Sequence, residues 1–294
     1  MVTRPFYIVD VFAEEKYAGN QLAVVRNAQD LSDREMQRIA RETNFSETTF
    51  ILNDKQRDGG YDVRIFTPMQ ELPFAGHPTL GTAFIIRNEI IKKPDKRVIL
   101  NLKVGQIPVD FEHEGGEEIL WMTQKEPSYA HTFQAGPISE VLGLSTQEID
   151  SRFPIEEVST GAPFIIVPLK TLAAIRKISV NRTKYLSLVK DTEAKAIVIF
   201  CPETLNSENQ LHVRVFVEYF GVPEDPATGS GNGCLAAYLV KHKYLGTDHV
   251  NVKVEQGYEI GRPSLLYLRA EPAGGSIRVQ VGGRVQSVAK GELV

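Results

Sequence analysis

The 294-residue chain is poor in the residues that build disulfide frameworks and metal sites. It has two cysteines, Cys201 and Cys234, and no spaced cluster of cysteine with histidine. A disulfide framework and a zinc site are therefore disfavoured. The glycine-rich loop "GSGNG" at 229–233 lacks the Lys-Ser/Thr of a phosphate-binding loop and the GxGxxG spacing of a dinucleotide-binding fold. We expect no metal and no flavin, nicotinamide or pyridoxal cofactor.

Long apolar runs and a large excess of charge of one sign are also missing. No apolar stretch approaches the roughly 20 residues that cross a membrane. Asp10 interrupts the short apolar run near the N-terminus, so no signal peptide is indicated. A net charge of −4 gives no basic surface for nucleic acid. We expect a soluble cytoplasmic protein with no nucleic-acid or membrane partner, and its length fits two domains or one large one.

What the chain does contain is an internal duplication. Three segments recur in the same order, at offsets of 142, 150 and 154 residues. They are "GNQLAVV" at 19–25 with "GAPFIIV" at 161–167, "VRIF" at 63–66 with "VRVF" at 213–216, and "GHPTLGTAFII" at 76–86 with "SGNGCLAAYLV" at 230–240. The slow drift of the offsets indicates small insertions between two similar domains related by a pseudo-two-fold axis.

Each half follows one plan, in which β-branched strands lead through a loop into an apolar helix. The first such helix is predicted to open at His77-Pro78, because proline suits the first helical position. A helix that is apolar nearly all round is usually buried. We therefore predict an α+β fold of two pseudo-symmetric domains, 1–125 and 126–294, each a curved mixed β-sheet or barrel around a central helix. The prediction leaves open whether the last strand returns to the first domain. Ser32 and Glu35 predict a capping box on a separate surface helix.

The starts of the two central helices are candidate sites for an anion. Unpaired N–H groups and a partial positive charge make a helix N-terminus suited to carboxylate or phosphate. If the halves face each other, both helices can open on one cleft between the domains. Glycines in 229–233 would let a ligand approach the backbone. The alternative interpretation is a tight turn with close packing, and the spacing does not separate the two.

Three residues are candidates for proton transfer. Glu47 lies in the strand-like run "NFSETTFIL", where partial burial would raise its pKa and suit general acid–base chemistry; the alternative is an edge-strand side chain facing water. His77 begins a helix, where the helix dipole favours neutral imidazole, unless it is only a helix-cap residue. Asp225 suits a hydrogen-bond acceptor for a substrate amine or for His77, unless its Asp-Pro pair is only a turn.

The segments "GNQLAVV", "NFSETTF", "FTPMQELPFAGHPTLGTAF" and "EDPATGSGNGCLAAYL" together resemble the PhzF-like family of phenazine biosynthesis, which has the diaminopimelate-epimerase-like fold. The resemblance covers nearly the whole chain, and "FAGHPTLGTA" and "DPATGSG" are its most specific parts. It implies a cofactor-free isomerase with its active site in the cleft between two domains. In the type member, a proton moves between ring carbons of a dihydro-hydroxyanthranilate.

The resemblance also implies roles for six residues. The family's acid–base glutamate falls on Glu47, its cleft histidine and glycine on His77 and Gly76, its cleft aspartate on Asp225, and its glycine–serine pair on Gly229 and Ser230. We therefore expect an isomerase acting on a small carboxylate-bearing metabolite, and a homodimer. Two alternatives stay open: an amino-acid racemase or epimerase of the same fold, and a non-catalytic protein that binds a metabolite or another protein.

Overall fold

The computed structural model describes residues 3–294, which form two compact units. One consists of residues 3–122 with Gly282–Val294, and the other of Thr123–Val281. In chain order, the strands are β1 (Arg4–Val11), β2 (Asn20–Val25), β3 (Glu47–Ile51), β4 (Tyr61–Phe66), β5 (Glu71–Leu72), β6 (Arg97–Leu102), β7 (Gly105–Glu114), β8 (Glu117–Thr123), β9 (Ser128–Phe133), β10 (Ile155–Ser159), β11 (Pro163–Pro168), β12 (Ile197–Cys201), β13 (Leu211–Val217), β14 (Val222–Asp225), β15 (Val250–Gln256), β16 (Ser264–Ala273), β17 (Ser276–Gly283) and β18 (Val285–Leu293).

The helices are fewer and shorter than the strands. The α-helices are α1 (Asp33–Thr43), α2 (Gly76–Ile85), α3 (Ala135–Leu142), α4 (Leu172–Lys177), α5 (Arg182–Leu188) and α6 (Gly229–Lys241). A π-helical turn, Ile86–Ile91, follows α2 directly, and short 3₁₀ turns span Thr146–Glu148, Glu218–Phe220 and Tyr258–Ile260. Within residues 3–294, no helix has the length and apolar character needed to cross a membrane.

The pairing of strands repeats from one unit to the other. In the first unit, β1 pairs antiparallel with β2, β2 parallel with β3, β3 antiparallel with β4, β4 parallel with β6, and β6 antiparallel with β7. In the second, β10, β11, β12, β13, β15 and β16 follow the same order and the same directions. The duplicated segments occupy matching places, β2 with β11, β4 with β13, and α2 with α6. Each unit is therefore a mixed sheet, as the sequence predicts.

The first strand of the repeat pairs with a strand from a different part of the chain in each unit. In the first unit β1 pairs with β18, which is supplied by the end of the chain. In the second unit the matching strand β10 pairs with β9, which precedes it directly. The C-terminal strand thus belongs to the first unit.

Each unit is built around one central helix, α2 or α6. A parallel pair of strands requires a long crossover, and the crossovers from β4 to β6 and from β13 to β15 contain these two helices. Helix α2 contacts β1, β2, β3, β6, β7 and β18, and α6 contacts β10, β11, β12, β15 and β16. Nine of the ten residues of α2 are buried. The apolar composition of both helices therefore reflects the strands that enclose them.

Two glycines of α6 are explained by close packing against these strands. A Cβ on Gly231 would lie 3.0 Å from a Val198 methyl group, and one on Gly233 would lie 3.0 Å from Gln124 Cγ. The packing interpretation of these two glycines is thus the one that the structure supports.

Local signals near the helix ends are mostly confirmed. Ser32 and Glu35 form the predicted capping box at the start of α1, with each side chain bound to the other's backbone N–H. The predicted start of the first central helix was wrong, because α2 begins at Gly76, two residues before the proline that was expected to open it. Pro78 therefore lies at the third helical position, where a backbone N–H is still not needed within the helix.

Candidate active site

Glu47 and His77 lie together in the first unit. Glu47 is the first residue of β3, opposite Leu22 of the parallel strand β2, and His77 is the second residue of α2. His77 Nε2 lies 3.4 Å from Glu47 Oε2. Both side chains are largely buried, with 6% of His77 and 16% of Glu47 exposed. Glu47 thus points inward to the start of the central helix, and the edge-strand interpretation is wrong.

The His77 ring is neutral across the physiological pH range. Burial lowers the pKa of His77 to about 3, and a hydrogen bond to the backbone of Gln21 opposes this shift only in part. The predicted neutral form is confirmed, but its main cause is burial and not the helix dipole.

The two contacts of the ring assign its single proton. A bond that raises the pKa is one in which the ring donates, so the N–H of neutral His77 points to Gln21. His77 Nε2 makes no hydrogen bond among residues 3–294, so the nitrogen that donates to Gln21 is Nδ1, and Nε2 carries its lone pair 3.4 Å from Glu47 Oε2. If Glu47 is protonated, its proton therefore has an acceptor, His77 Nε2, 3.4 Å away.

Gly76 opens α2 next to His77. The residue before it, Ala75, has no side chain that can cap the helix, and the nearby hydroxyl of Thr79 donates to the carbonyl of Ala75 at 2.7 Å. The first turn of α2 therefore receives no side-chain cap from Ala75 or Thr79. This geometry suits an anion at the helix N-terminus.

Asp225, Gly229 and Ser230 lie together in the second unit. Asp225 ends β14, and Gly229 and Ser230 begin α6. The N-cap residue Thr228 makes no side-chain bond to the helix. Its hydroxyl donates instead to Asp225 Oδ2. The first turn of α6 is thus uncapped, as in α2, although a capping residue is present.

Two further polar residues join this group, and sequence reasoning missed both. Gln256 Nε2 donates to the backbone carbonyl of Asp225 at 2.8 Å and to Thr228 Oγ1 at 3.0 Å. Gln256 Oε1 accepts from Thr228 N at 3.2 Å and from Asn232 Nδ2 at 2.8 Å. Gln256 and Asn232 are fully buried. Asn232 lies in the glycine-rich segment that forms the first turn of α6 and could have been noticed, whereas no local signal marks Gln256.

A pair of matching ion pairs holds the hairpins that lead to the two groups. Arg64 on β4 binds both carboxylate oxygens of Glu71 on β5, at 2.8 Å each. Arg214 on β13 binds Glu224 on β14 in the same way, at 2.9 and 2.6 Å. Glu224 directly precedes Asp225. Bidentate pairs of this kind fix geometry as well as charge.

The predicted residues therefore form two groups, one in each unit. Glu47, Gly76 and His77 are adjacent in the first, and Asp225, Gly229 and Ser230 in the second. That the two groups share one cleft remains a prediction, as do the roles of the six residues. Among residues 3–294, no three His, Cys, Asp or Glu side chains are arranged to hold a metal ion.

The two cysteines lie outside both groups of predicted residues and in one unit. Cys201 and Cys234 are fully buried. Burial raises the pKa of each thiol to about 12, so both are protonated at neutral pH. Each thiol donates a hydrogen bond to a backbone carbonyl. Cys201 donates to Glu203 at 3.2 Å, and Cys234 donates to Ala162 at 3.4 Å. A protonated, buried thiol is a poor base or nucleophile.

The fold defines the class of protein first. A probable proline racemase of Agrobacterium radiobacter K84 has a TM-score of 0.62, with 11% identity over 99% of this chain and 93% of that chain, which is a likeness of fold alone. A PhzF-family phenazine biosynthesis protein of Bacillus anthracis has a TM-score of 0.92, with 28% identity over all of both chains. The α+β class and the epimerase-like fold are thus confirmed.

The sequence relatives then define the family. The family model described as "Phenazine biosynthesis-like protein" matches residues 9–291. A Pseudomonas aeruginosa protein named trans-2,3-dihydro-3-hydroxyanthranilate isomerase is 36% identical over 288 residues, 97% of this chain and 98% of that protein. The chain therefore belongs to the phenazine biosynthesis-like family. Several of its relatives are named as isomerases, and it is an isomerase too.

Proposed function

We propose that this isomerase needs no cofactor and moves a proton between two carbon atoms of a small carboxylate-bearing metabolite. The contact between Glu47 and His77 carries the proposal. It combines a carboxylate, which can take a proton, with a neutral imidazole that can accept a hydrogen bond from the protonated acid. General acid–base catalysis requires a group that can both remove and return a proton.

The proposed step moves one proton and no other atom. The Glu47 carboxylate takes a proton from a substrate carbon, and the electron pair of that C–H bond shifts into the conjugated system that ends at the substrate carboxylate. The protonated Glu47 is held by His77 Nε2 until it returns the proton to a different carbon. Because His77 is neutral and its ring N–H donates a hydrogen bond to the backbone of Gln21, it does not compete for the role of acid.

The second group supplies the binding contacts in this proposal. N–H groups at the start of α6, near Gly229 and Ser230, and those near Gly76 would bind the substrate carboxylate and stabilise the charge that develops in the transition state. Asp225 would accept a hydrogen bond from an amino or hydroxyl group. Because the Asp225 carboxylate repels the substrate carboxylate, the substrate would place its carboxylate at the helix starts and its amino or hydroxyl group at Asp225. The uncapped first turns of both helices support this division.

The substrate named for the Pseudomonas aeruginosa relative fits these requirements. Trans-2,3-dihydro-3-hydroxyanthranilate carries a carboxylate, an amino group and a hydroxyl group, and it is the first compound to test. The experiment is to incubate the purified protein with this compound in deuterated water and to follow the product by NMR and mass spectrometry. We expect isomerisation, with solvent deuterium on one carbon of the product to the extent that the proton on Glu47 exchanges before it is returned. Unchanged compound, in a sample active on another cyclic amino acid carboxylate, would redirect the proposal to that substrate.

Quaternary structure and location are part of the same proposal. We expect a homodimer in the cytoplasm. Sedimentation velocity at micromolar concentration measures the first directly, and a single monomeric species would contradict it.

A further inference from the structure

The amide of Gln256 can adopt only one orientation. Two donors, the Thr228 backbone N–H and Asn232 Nδ2, converge on one end of the amide. An acceptor, the Asp225 backbone carbonyl, lies 2.8 Å from the other end. Reversing the amide would place its NH₂ against two donors and its oxygen against a carbonyl. The amide oxygen therefore faces α6, and the amide nitrogen faces Asp225.

The orientation of Gln256 sets the direction of the Thr228 hydroxyl. Thr228 Oγ1 accepts one N–H from Gln256 Nε2 at 3.0 Å. A hydroxyl has one proton to give, and the acceptor bonded to Thr228 is Asp225 Oδ2. The hydrogen bonds thus run one way, from the Gln256 amide through the Thr228 hydroxyl to the Asp225 carboxylate.

Thr228 could have capped α6, and it does not. Threonine at an N-cap ordinarily accepts a bond from the first turn of its helix. Here the hydroxyl is held by Gln256 on one side and Asp225 on the other, and it makes no bond to the helix. One arrangement therefore both directs a donor at the carboxylate and keeps the cap of α6 from forming.

We infer that Gln256 and Thr228 are positioning residues, which hold the Asp225 carboxylate ionised and in one orientation as a hydrogen-bond acceptor. This inference rests on the role proposed for Asp225. Two charged residues near this group are engaged in ion pairs of their own. Arg214 is bound to Glu224, and Glu255, next to Gln256, is bound to His212.

Three substitutions separate this role from simple packing. Thr228→Val removes the hydroxyl with little change of shape, and Thr228→Ser keeps it. Gln256→Glu keeps the oxygen that Thr228 N and Asn232 bind, but replaces the donor with an acceptor. The Thr228 proton then has a competing acceptor and turns away from Asp225. Gln280→Met, on β17 in the same unit, is the matched control, since Gln280 makes a single side-chain bond of 3.5 Å to Thr123.

The first measurement needs no substrate. In protein with ¹³C-labelled aspartate carboxyls, the Asp225 signal is identified by its loss in Asp225→Asn. We expect its titration to move to higher pH in Thr228→Val and Gln256→Glu, because the carboxylate loses the donor that stabilises its ionised form. Thr228→Ser and Gln280→Met should titrate as the wild type does. An unmoved Asp225 signal in folded Thr228→Val and Gln256→Glu would overturn the inference.

The second measurement is a double-mutant cycle with trans-2,3-dihydro-3-hydroxyanthranilate. Thr228→Val should lower kcat/KM about 10- to 100-fold, the range expected for a hydrogen bond to a charged group. In an Asp225→Asn background the same change should have little further effect, because residues that act through one another are not additive. Equal losses in both backgrounds would overturn the inference. A wild type without turnover would instead contradict the proposed substrate, and the carboxyl titration would still decide the role of Thr228.

Discussion

The buried ion pair between Arg214 and Glu224 allows a quantitative test of how the fold supports Asp225. The substitution Glu224→Gln keeps the shape of the side chain and removes its charge. Only 10% of the Arg214 side chain and 6% of that of Glu224 are exposed, so the guanidinium would stay buried beside a neutral amide, with the Ile175 carbonyl and the charge of Glu259 nearby. Breaking a buried pair in this way costs about 3–5 kcal/mol.

The matching pair in the first unit is the internal control. Arg64 and Glu71 have the same geometry, but 21% and 14% of their side chains are exposed, and Arg64 also binds Asp33. Glu71→Gln should therefore cost less, roughly 1–2 kcal/mol. The same change from glutamate to glutamine in these two ion pairs should therefore lower the free energy of unfolding by unequal amounts.

The assay is urea denaturation of both variants, followed by far-UV circular dichroism. The single tryptophan, Trp121, lies in the first unit, so its fluorescence would report on that unit alone. We expect the free energy of unfolding to fall more in Glu224→Gln than in Glu71→Gln. A loss below about 1 kcal/mol in Glu224→Gln, or equal losses in the two variants, would refute the reasoning from burial.

Three further outcomes are expected. Gly81→Ala should destabilise the protein by about 1–2 kcal/mol, as measured by thermal unfolding. A Cβ at this position would lie 2.6 Å from a methyl group of Leu22, and the resulting strain exceeds the roughly 1 kcal/mol gained in helix propensity. His212→Asn should cost more stability at pH 5.5 than at pH 9. Burial alone would lower the pKa of His212, but hydrogen bonds to Glu255 and a second carboxylate raise it. The stability that His212 contributes is therefore complete below its pKa in the unfolded state and is lost as pH rises through its pKa in the folded state. Urea midpoints at the two pH values test this, and equal losses would contradict it. Cys201→Ala and Cys234→Ala should keep their turnover, because both thiols are buried and protonated. Complete loss of turnover in a folded variant would return to consideration an amino-acid racemase of the same fold that uses two thiols as its acid and base.

Features written in short stretches of sequence were predictable. The capping box depends on residues three positions apart, Ser32 and Glu35, and the structure confirms it. The two central helices were visible in their apolar composition, and the duplication was visible in three short segments. In each case the physical cause acts between near neighbours or along one element, so a single sequence contains it.

Features created by pairing between distant strands were not predictable. Gln256 lies 28 residues after Thr228, and the parallel pairing of β13 with β15 brings it beside the start of α6. The sequence left open whether the last strand returns to the first domain, and only the pairing of β18 with β1 decides it. The neutral state of His77 was predicted from the helix start, but its cause is burial among residues of other strands. Burial and pairing of this kind depend on the whole fold.

The central claim is that Glu47 carries the proton, and Glu47→Gln tests it most directly. Glutamine keeps the size of the side chain but cannot take a proton. Glu42→Gln, five residues earlier on the exposed face of α1, is the matched control. The account predicts that Glu47→Gln folds and binds trans-2,3-dihydro-3-hydroxyanthranilate nearly as the wild type does, while kcat falls about 10²- to 10⁴-fold and Glu42→Gln keeps full activity. Near wild-type turnover in folded Glu47→Gln would contradict it and leave His77 and Asp225 as the remaining acid–base candidates.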